Sequence, residues 1–367
     1  MSDVMIRLDG VTKTFPGSEE PAVDRLSLDI PRGELVVFVG PSGCGKTTTL
    51  KMINRIVEPT AGTITIDGED QRTRPAHELR RDIGYVIQQI GLFPHRTIAA
   101  NIATVPRLMG WERERTDARV AELLELMDLD PAMATRYPTE LSGGQRQRVG
   151  VARALAADPP VLLMDEPYGA VDPLVRGRLQ DQLLELQQRL AKTIVFVTHD
   201  IDEAVKLGDR IAILNVGGIL EQYDTPAEIL RRPASPFVEE FLGEERGLKR
   251  LSLIEAKDAD LVRGPVVDAN ASVEEARRIA AEEQVDWIGV LDGERLRGWV
   301  WLSELDPTRE VGAVDTRDFR VWIQCHESLR TAVDAIVNTR NQVAVVFDDD
   351  HYLGMLFIEA VSRELLR

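Results

Sequence analysis

No stretch of this sequence offers 18 consecutive apolar residues, so nothing in it reads as a membrane-spanning helix. The first residues, MSDVMIRLDG, have neither a basic start nor a long apolar core, and no secretory leader is expected there. Cysteine is scarce. Cys44 and Cys325 cannot build a disulfide framework, and a reducing cytoplasm fits. Positive charge is also short: 61 acidic residues against 44 basic ones leave a net −17, which argues against binding a nucleic-acid polymer and supplies no basic stripe for anionic lipid. Any membrane association should therefore run through a protein partner. What remains is the composition of a soluble globular protein, long enough at 367 residues for two or three domains with real cores.

The most informative stretch is GPSGCGKTT, that is Gly40, Pro41, Ser42, Gly43, Cys44, Gly45, Lys46, Thr47 and Thr48. Apolar Leu35–Val39 precedes it and reads as a buried strand. The residues after it place Leu50, Ile53 and Ile56 or Val57 at helical spacing. A G-x-x-x-x-G-K-[ST] run between strand and helix is a phosphate-binding loop. Its glycines let backbone N–H groups wrap an anion, and the helix start adds the positive end of its dipole. Lys46 is placed to reach the β- and γ-phosphates of a nucleotide, and the Thr47 hydroxyl to hold Mg²⁺. Cys44 reads either as a thiol of lowered pKa and a redox switch, or as a small residue shielded by nucleotide; the second is the expectation. The loop alone does not separate a kinase, a GTPase or a motor from a transporter ATPase.

Four further features narrow the choice. Residues 3–34 alternate as antiparallel strands, with Phe15 open to two readings, a core or edge residue or a ring stacked on adenine. The strand IGYVIQ ends at Gln88 at a loop mouth, and residues 98–130 are expected to be helical. Ser142-Gly143-Gly144-Gln145 precedes an amphipathic helix, which makes a second helix N-terminus suited to phosphate. The apolar VLLM (161–164) ends in Asp165-Glu166, and IVFV (194–197) ends in Thr198-His199-Asp200. In a parallel sheet Gly40, Gln88, Asp165 and His199 would all lie along one edge, beside a ligand crevice.

With these motifs in place, residues 1–243 resemble the ATPase of an ABC transporter: Walker A at GPSGCGKT, Q-loop at Gln88, signature LSGGQ at Leu141–Gln145, Walker B at VLLMDE, D-loop GAVD at Gly169–Asp172 and switch histidine His199. The resemblance implies an α/β P-loop fold with antiparallel β and helical subdomains. It implies ATP and Mg²⁺ as cofactors, with Thr47, Gln88 and Asp165 on the metal. Glu166, His199 and Gln88 would be catalytic. Phe15, residues 40–48, Ser142, Gly143, Gly144, Gln145 and Asp172 would contact ATP, with Ser142–Gln145 coming from the second copy of a head-to-tail homodimer.

Charged residues 244–250 read as a linker. Beyond it, a shift of 56 residues sets Ser272 on Ser328, Ala276 on Ala332, Asp292 on Asp348 and Gly298 on Gly354. Each copy reads helix, strand, turn, strand. Residues 251–367 resemble a tandem CBS pair of α+β fold, which implies a regulatory nucleotide. The positions that would contact ribose, however, are Trp301 and Glu304 in one copy and Phe357 and Ala360 in the other, so ordinary AMP or ATP binding is not expected. Trp287, Trp299, Trp301 and Trp322 are expected in a core or an interface.

An importer-type ATPase with such a tail, and with the stretch IGYVIQQIGLFPHRT, is similar to the ATPase subunits of osmoprotectant importers. That implies permease subunits in the membrane, an extracytoplasmic solute-binding protein and a place at the cytoplasmic face. A methionine or other amino-acid importer is the nearest alternative. A soluble ABC ATPase of DNA repair or translation is the alternative from another class; it would carry a long coiled coil or two ATPase halves.

Overall fold

A computed structural model describes residues 4–88, 91–169, 171–337 and 343–366. Ala170 of GAVD, Gln89 and Ile90 of IGYVIQQIGLFPHRT, and Asn338, Thr339 and Gln342 of the second repeat copy lie outside the described residues. The chain divides into two units, Met1–Gly243 and Glu244–Arg367.

In the first unit, β1 (Val4–Lys13) and β2 (Val23–Pro31) pair antiparallel. Met5, Ile6, Leu8 and Val11 turn inward from β1, and Leu26, Leu28 and Ile30 from β2. β3 (Leu35–Val39) leads through the glycine-rich loop into α1 (Lys46–Ile53). β4 (Ala61–Ile66) then joins β1 antiparallel and turns into the two-residue β5 (Glu69–Asp70), which completes a sheet of order β2-β1-β4-β5. The short α2 (Ala76–Leu79) precedes β6 (Ile83–Val86). A helical stretch follows: α3 (Ile98–Ile102), α4 (Thr104–Leu108), α5 (Arg113–Leu126) and α6 (Gly143–Leu155). The chain then alternates β7 (Val161–Asp165), α7 (Pro173–Leu190), β8 (Thr193–Val197), α8 (Ile201–Leu207) and β9 (Arg210–Asn215). A hairpin at Gly217-Gly218 gives β10 (Ile219–Asp224), and α9 (Pro226–Arg231) and α10 (Pro236–Leu242) close the unit.

The second sheet has order β10-β9-β3-β8-β7-β6 and is parallel from β9 to β6. Its three central strands are buried along their whole length. That explains why they appear in sequence as unbroken apolar runs rather than alternating ones. Leu35, Val37, Leu162, Met164, Ile194 and Phe196 pack on the helical side. Val36, Phe38, Val161, Leu163, Val195 and Val197 pack against α1 and the antiparallel sheet. The register aligns Phe38 with Val197 and Val197 with Asp165, so the loops after β3, β8 and β7 leave the sheet at one level.

Three expectations need correction. α1 stops at Ile53 instead of reaching Ile56 or Val57. Arg55 takes a left-handed φ of +50°, its guanidinium donating to the Gln71 and Arg74 carbonyls, and Ile56 is exposed. Residues 98–130 are helical only in three pieces that end at Leu126: α3 and α4 meet at Ala103, and Gly110 turns the chain at φ +75° between α4 and α5. The supposed linker is mostly helix, α11 (Arg246–Leu251), whose Lys249 and Leu251 are buried in the second unit.

The repeat is visible as topology in that unit. β11 (Val266–Asp268), α12 (Val273–Glu282), β12 (Trp287–Asp292) and β13 (Arg295–Trp301) are matched by β14 (Trp322–Gln324), α13 (Leu329–Val337), β15 (Val343–Asp348) and β16 (His351–Phe357). Both three-stranded sheets pair parallel then antiparallel. The register matches Val290 with Gly298 in one and Val346 with Gly354 in the other, each followed by a bulge. α14 (Ile358–Leu366) ends the chain.

Candidate functional site

The loop after β3 is built around positions where a side chain cannot fit. A Cβ on Gly40 would sit 2.0 Å from the Leu214 carbonyl oxygen, and one on Gly45 2.5 Å from that of Ala22. Gly45 stands at φ +92° as the residue before α1 and offers no side-chain cap, so the first N–H groups of the helix are left for an anion. Lys46 is buried, with Nζ donating to the Gly40 oxygen at 2.7 Å and the Pro41 oxygen at 3.0 Å, which holds the ammonium inside the loop. Pro41, Ser42 and Thr48 complete the loop as partly or fully exposed residues.

Cys44 is also in the loop, but its side chain is fully buried among the apolar residues beneath it. Only its backbone could meet a phosphate. The sequence expectation of a thiol shielded by nucleotide is thus corrected, since the core itself shields it. Native protein should resist N-ethylmaleimide at Cys44 equally with and without ATP, and react once unfolded. Mass spectrometry of the modified peptide checks this.

Beside the loop, the Thr47 hydroxyl donates to Asp165 Oδ1 at 2.7 Å. Asp165 ends β7 almost fully buried. Burial is the largest cause pushing its carboxyl above the ordinary value, with Glu166 adding to it, while the Thr47 hydroxyl, Lys51 and Lys46 pull the other way. An acid held above its unfolded value favours folding most when protonated, so its effect on stability worsens as pH rises through the raised value. Asp165→Asn keeps the acceptor for Thr47 and removes the buried charge. We expect it to raise the Tm of nucleotide-free protein at pH 7 by about 2–4 °C, the shift of ~1 kcal/mol in a domain of this size, while abolishing Mg²⁺-dependent hydrolysis. Thermal scans at pH 7 and in acid, where the gain should vanish, test it.

Glu166 follows in a left-handed conformation, φ +43°, a strain of about 1–3 kcal/mol for a residue with a side chain. Its N–H donates to the Val197 oxygen at 3.0 Å, which ties it to the end of β8. Its carboxylate is gripped from two sides: Gln88 Nε2 donates to Oε2 at 3.1 Å, and His199 Nδ1 stands 3.4 Å from Oε1. Residues from the ends of β6, β7 and β8 thus meet at one carboxylate, as the expected shared edge requires, although Gln88 lies two residues beyond its strand. Glu203 was missed in the sequence. It is buried on α8, its carboxyl is pushed up chiefly by burial, and Gln180 Nε2 donates to it at 3.0 Å. Thr198, the residue before His199, also hydrogen-bonds to its carboxylate.

The other motif residues stand apart. Ser142 caps α6 through a reciprocal pair, Gln145 N to Ser142 Oγ at 3.3 Å and Ser142 N to Gln145 Oε1 at 2.9 Å. Ser142 and Gly143 are exposed, and among the described residues no hydrogen bond or ion pair joins Ser142–Gln145 to the Lys46 loop. Asp172 is exposed just before α7, and its carbonyl accepts from Arg176 N. Phe15 is 40 % exposed with Lys13 Nζ 5.2 Å from its ring centroid, which removes the core reading and leaves an open face.

Residues 23–169 match the family described as ABC transporter. The chain is 48 % identical over 362 residues to the glycine betaine/carnitine/choline transport ATP-binding protein OpuCA of Bacillus subtilis (strain 168), covering 97 % of this chain and 94 % of that one. The chain belongs to the ABC transporter ATP-binding proteins. Its likeness to the osmoprotectant import ATP-binding protein OsmV of Salmonella typhimurium is 46 % over 98 % of this chain and 96 % of the relative. Among solved structures it is similar to the ATP-binding cassette MJ0796, a dimer in a post-hydrolysis state bound to ADP and Pi, at 37 % identity and TM-score 0.54, over 60 % of this chain and 99 % of that one. As in the rest of this ATPase family, the working ligands are ATP and Mg²⁺. The residues fit them. No cluster of three or more His, Cys, Asp or Glu side chains forms a closed metal cage among the described residues. Mg²⁺ bound to a nucleotide needs only one or two protein oxygens, which Thr47 and Asp165 bring together. No helix among the described residues is long and apolar enough to cross a membrane.

Proposed function

We propose that this chain is the ATP-hydrolysing subunit that energises import of a quaternary-amine osmoprotectant of the glycine betaine, carnitine and choline class. The observation that carries the chemistry is the Glu166 carboxylate held between Gln88 and His199 beside the Thr47–Asp165 pair. The solute class is supported by relatives of that name matching almost end to end.

Lys46 and the uncapped start of α1 bind the phosphates. Thr47 and Asp165, with Gln88 beside them, would hold Mg²⁺, which would supply neutralisation of phosphate charge. Glu166 takes the proton of the attacking water, and Gln88 and His199 fix its orientation. One copy neutralises only part of the nucleotide's charge. The exposed start of α6, presented by a second copy, completes the cradle, so ATP favours a closed homodimer. Hydrolysis removes the bridging charge and the dimer reopens. The chain then works at the cytoplasmic face, attached through permease subunits and served from outside by a solute-binding protein. We read the duplicated second unit as a tandem CBS pair. The site positions Trp301 and Ala360 offer no ribose contact, and Glu304 is already paired to Arg317 at 2.7 Å. That supports a role other than ordinary AMP binding.

The test is ATP hydrolysis by the subunit reconstituted with its permease and solute-binding protein in liposomes. Betaine, carnitine or choline should stimulate it. Stimulation by methionine or proline alone would overturn the solute class and leave the ATPase standing.

A further inference from the structure

The second unit contains a groove of about 410 Å³, within the range of small-molecule sites, about 300–1,000 Å³. It lies where the two repeats meet. Leu296, Arg295 and Arg297 of β13 form one side, Trp322 of β14 and Phe347 of β15 the other, and Phe319 and Asp318 lie between. The two hairpins are joined there by a hydrogen bond from Tyr352 N to the Glu294 oxygen at 2.9 Å.

Three aromatic rings face one space. Trp322 is 55 % exposed and meets Phe347 edge-on, with centroids 6.4 Å apart. Phe319 is braced edge-on against Trp287 at 5.8 Å. Trp322 is therefore outside any core and separate from the cluster of Trp287, Trp299 and Trp301. A tryptophan left this open at a groove lacks the usual reason for a large aromatic, which is burial. The charges are as distinctive as the rings. Arg295 and Arg297 are exposed, and among the described residues their guanidinium groups make no ion pair or hydrogen bond. Asp318, Asp349 and Asp350 add carboxylates at the same groove.

Rings with carboxylates suit a cation that spreads its charge over methyl groups, because the ring faces attract it and it needs little hydration. A pair of free guanidinium groups suits one carboxylate. A polyphosphate, by contrast, would bring its charge against three carboxylates. We infer that this groove binds a small zwitterion carrying both a quaternary ammonium and a carboxylate, such as glycine betaine, with the methyl groups against Trp322, Phe319 and Phe347 and the carboxylate on Arg295 and Arg297. The choice of glycine betaine as probe rests on the transport reading above. The binding chemistry does not.

The test is calorimetric titration of the full-length chain, without permease or solute-binding protein, at fixed ionic strength. Glycine betaine should bind saturably and with a stoichiometry of one per chain. Glycine, which lacks the methyl groups, and tetramethylammonium, which lacks the carboxylate, should each bind at least about tenfold more weakly. Trp322→Ala and, independently, Arg297→Glu should weaken betaine by about tenfold or more, the loss of a cage wall or a charge partner, with ATP binding unchanged. Arg297 is exposed, so its variant keeps the test sound where Trp322→Ala destabilises the unit. Absence of saturable betaine binding, equal binding of glycine, or indifference to both substitutions would overturn the proposal. Betaine binding here without stimulation of ATP hydrolysis in liposomes by betaine, carnitine or choline would sink the transport reading alone, and the reverse result would sink only this site.

Discussion

Glu166→Gln is expected to lower ATP turnover by about 10²–10⁴-fold, the worth of a positioned general base, without weakening ATP binding. The substitution keeps the shape and one acceptor oxygen, so the strained φ of +43° and the bond from Glu166 N to Val197 O should survive. What is lost is the ability to take a proton from water at the point where Gln88 and His199 aim the side chain. Binding and hydrolysis should then separate. With ATP and Mg²⁺ the variant should accumulate as a dimer on size exclusion, because the nucleotide charge that favours closure is never removed. Wild-type protein under the same conditions should return to monomer as ATP is consumed. Normal turnover by the variant would take Glu166 out of its role.

Lys46→Ala should cost ATP affinity about 10²-fold or more, the size expected when one partner of a buried, hydrogen-bonded charge pair is truncated. The ammonium is already desolvated inside the loop, so its attraction to phosphate is not diluted by water as a surface lysine's would be. The same variant leaves the Gly40 and Pro41 carbonyls without their donor, and a small drop in the Tm of nucleotide-free protein should accompany the loss. Fluorescent-nucleotide titration reads the first effect and a thermal scan the second.

Most of the nucleotide site could be read from the sequence because its parts are local. A strand, a glycine loop and a helix start are consecutive in the chain, and the Ser142–Gln145 cap is written within four residues. The shared edge was also legible, since buried parallel strands appear as apolar runs and the residue after each run is marked. Four things were not legible. The contact of Gln88 and His199 with one carboxylate depends on rotamers of residues 78 and 33 positions away from Glu166. The burial of Cys44 depends on which way one loop residue points, which glycine-rich spacing does not encode. The helix at Arg246–Leu251 has the composition of a linker, and only packing of Leu251 with Leu329 and Val361 reveals it as part of the second unit. The repeat was visible in sequence, yet the separation of Trp322 from the other tryptophans was not, because it follows from the pairing of β14 with β15.

If each ATP lies between Lys46 of one copy and Ser142–Gln145 of another, two differently disabled chains should restore activity when mixed. Lys46→Ala loses the phosphate grip. Gly143→Asp sets a negative charge at the start of α6, where a Cβ meets nothing within 4 Å and the helix is not disturbed. Each variant alone should be nearly inactive. Mixed in equal amounts they should regain about a quarter of the wild-type hydrolysis rate, since half of the two-fold dimers are mixed and each mixed dimer holds one intact site. A mixture no more active than its components, or a Gly143→Asp chain that hydrolyses ATP normally by itself, would contradict the shared site.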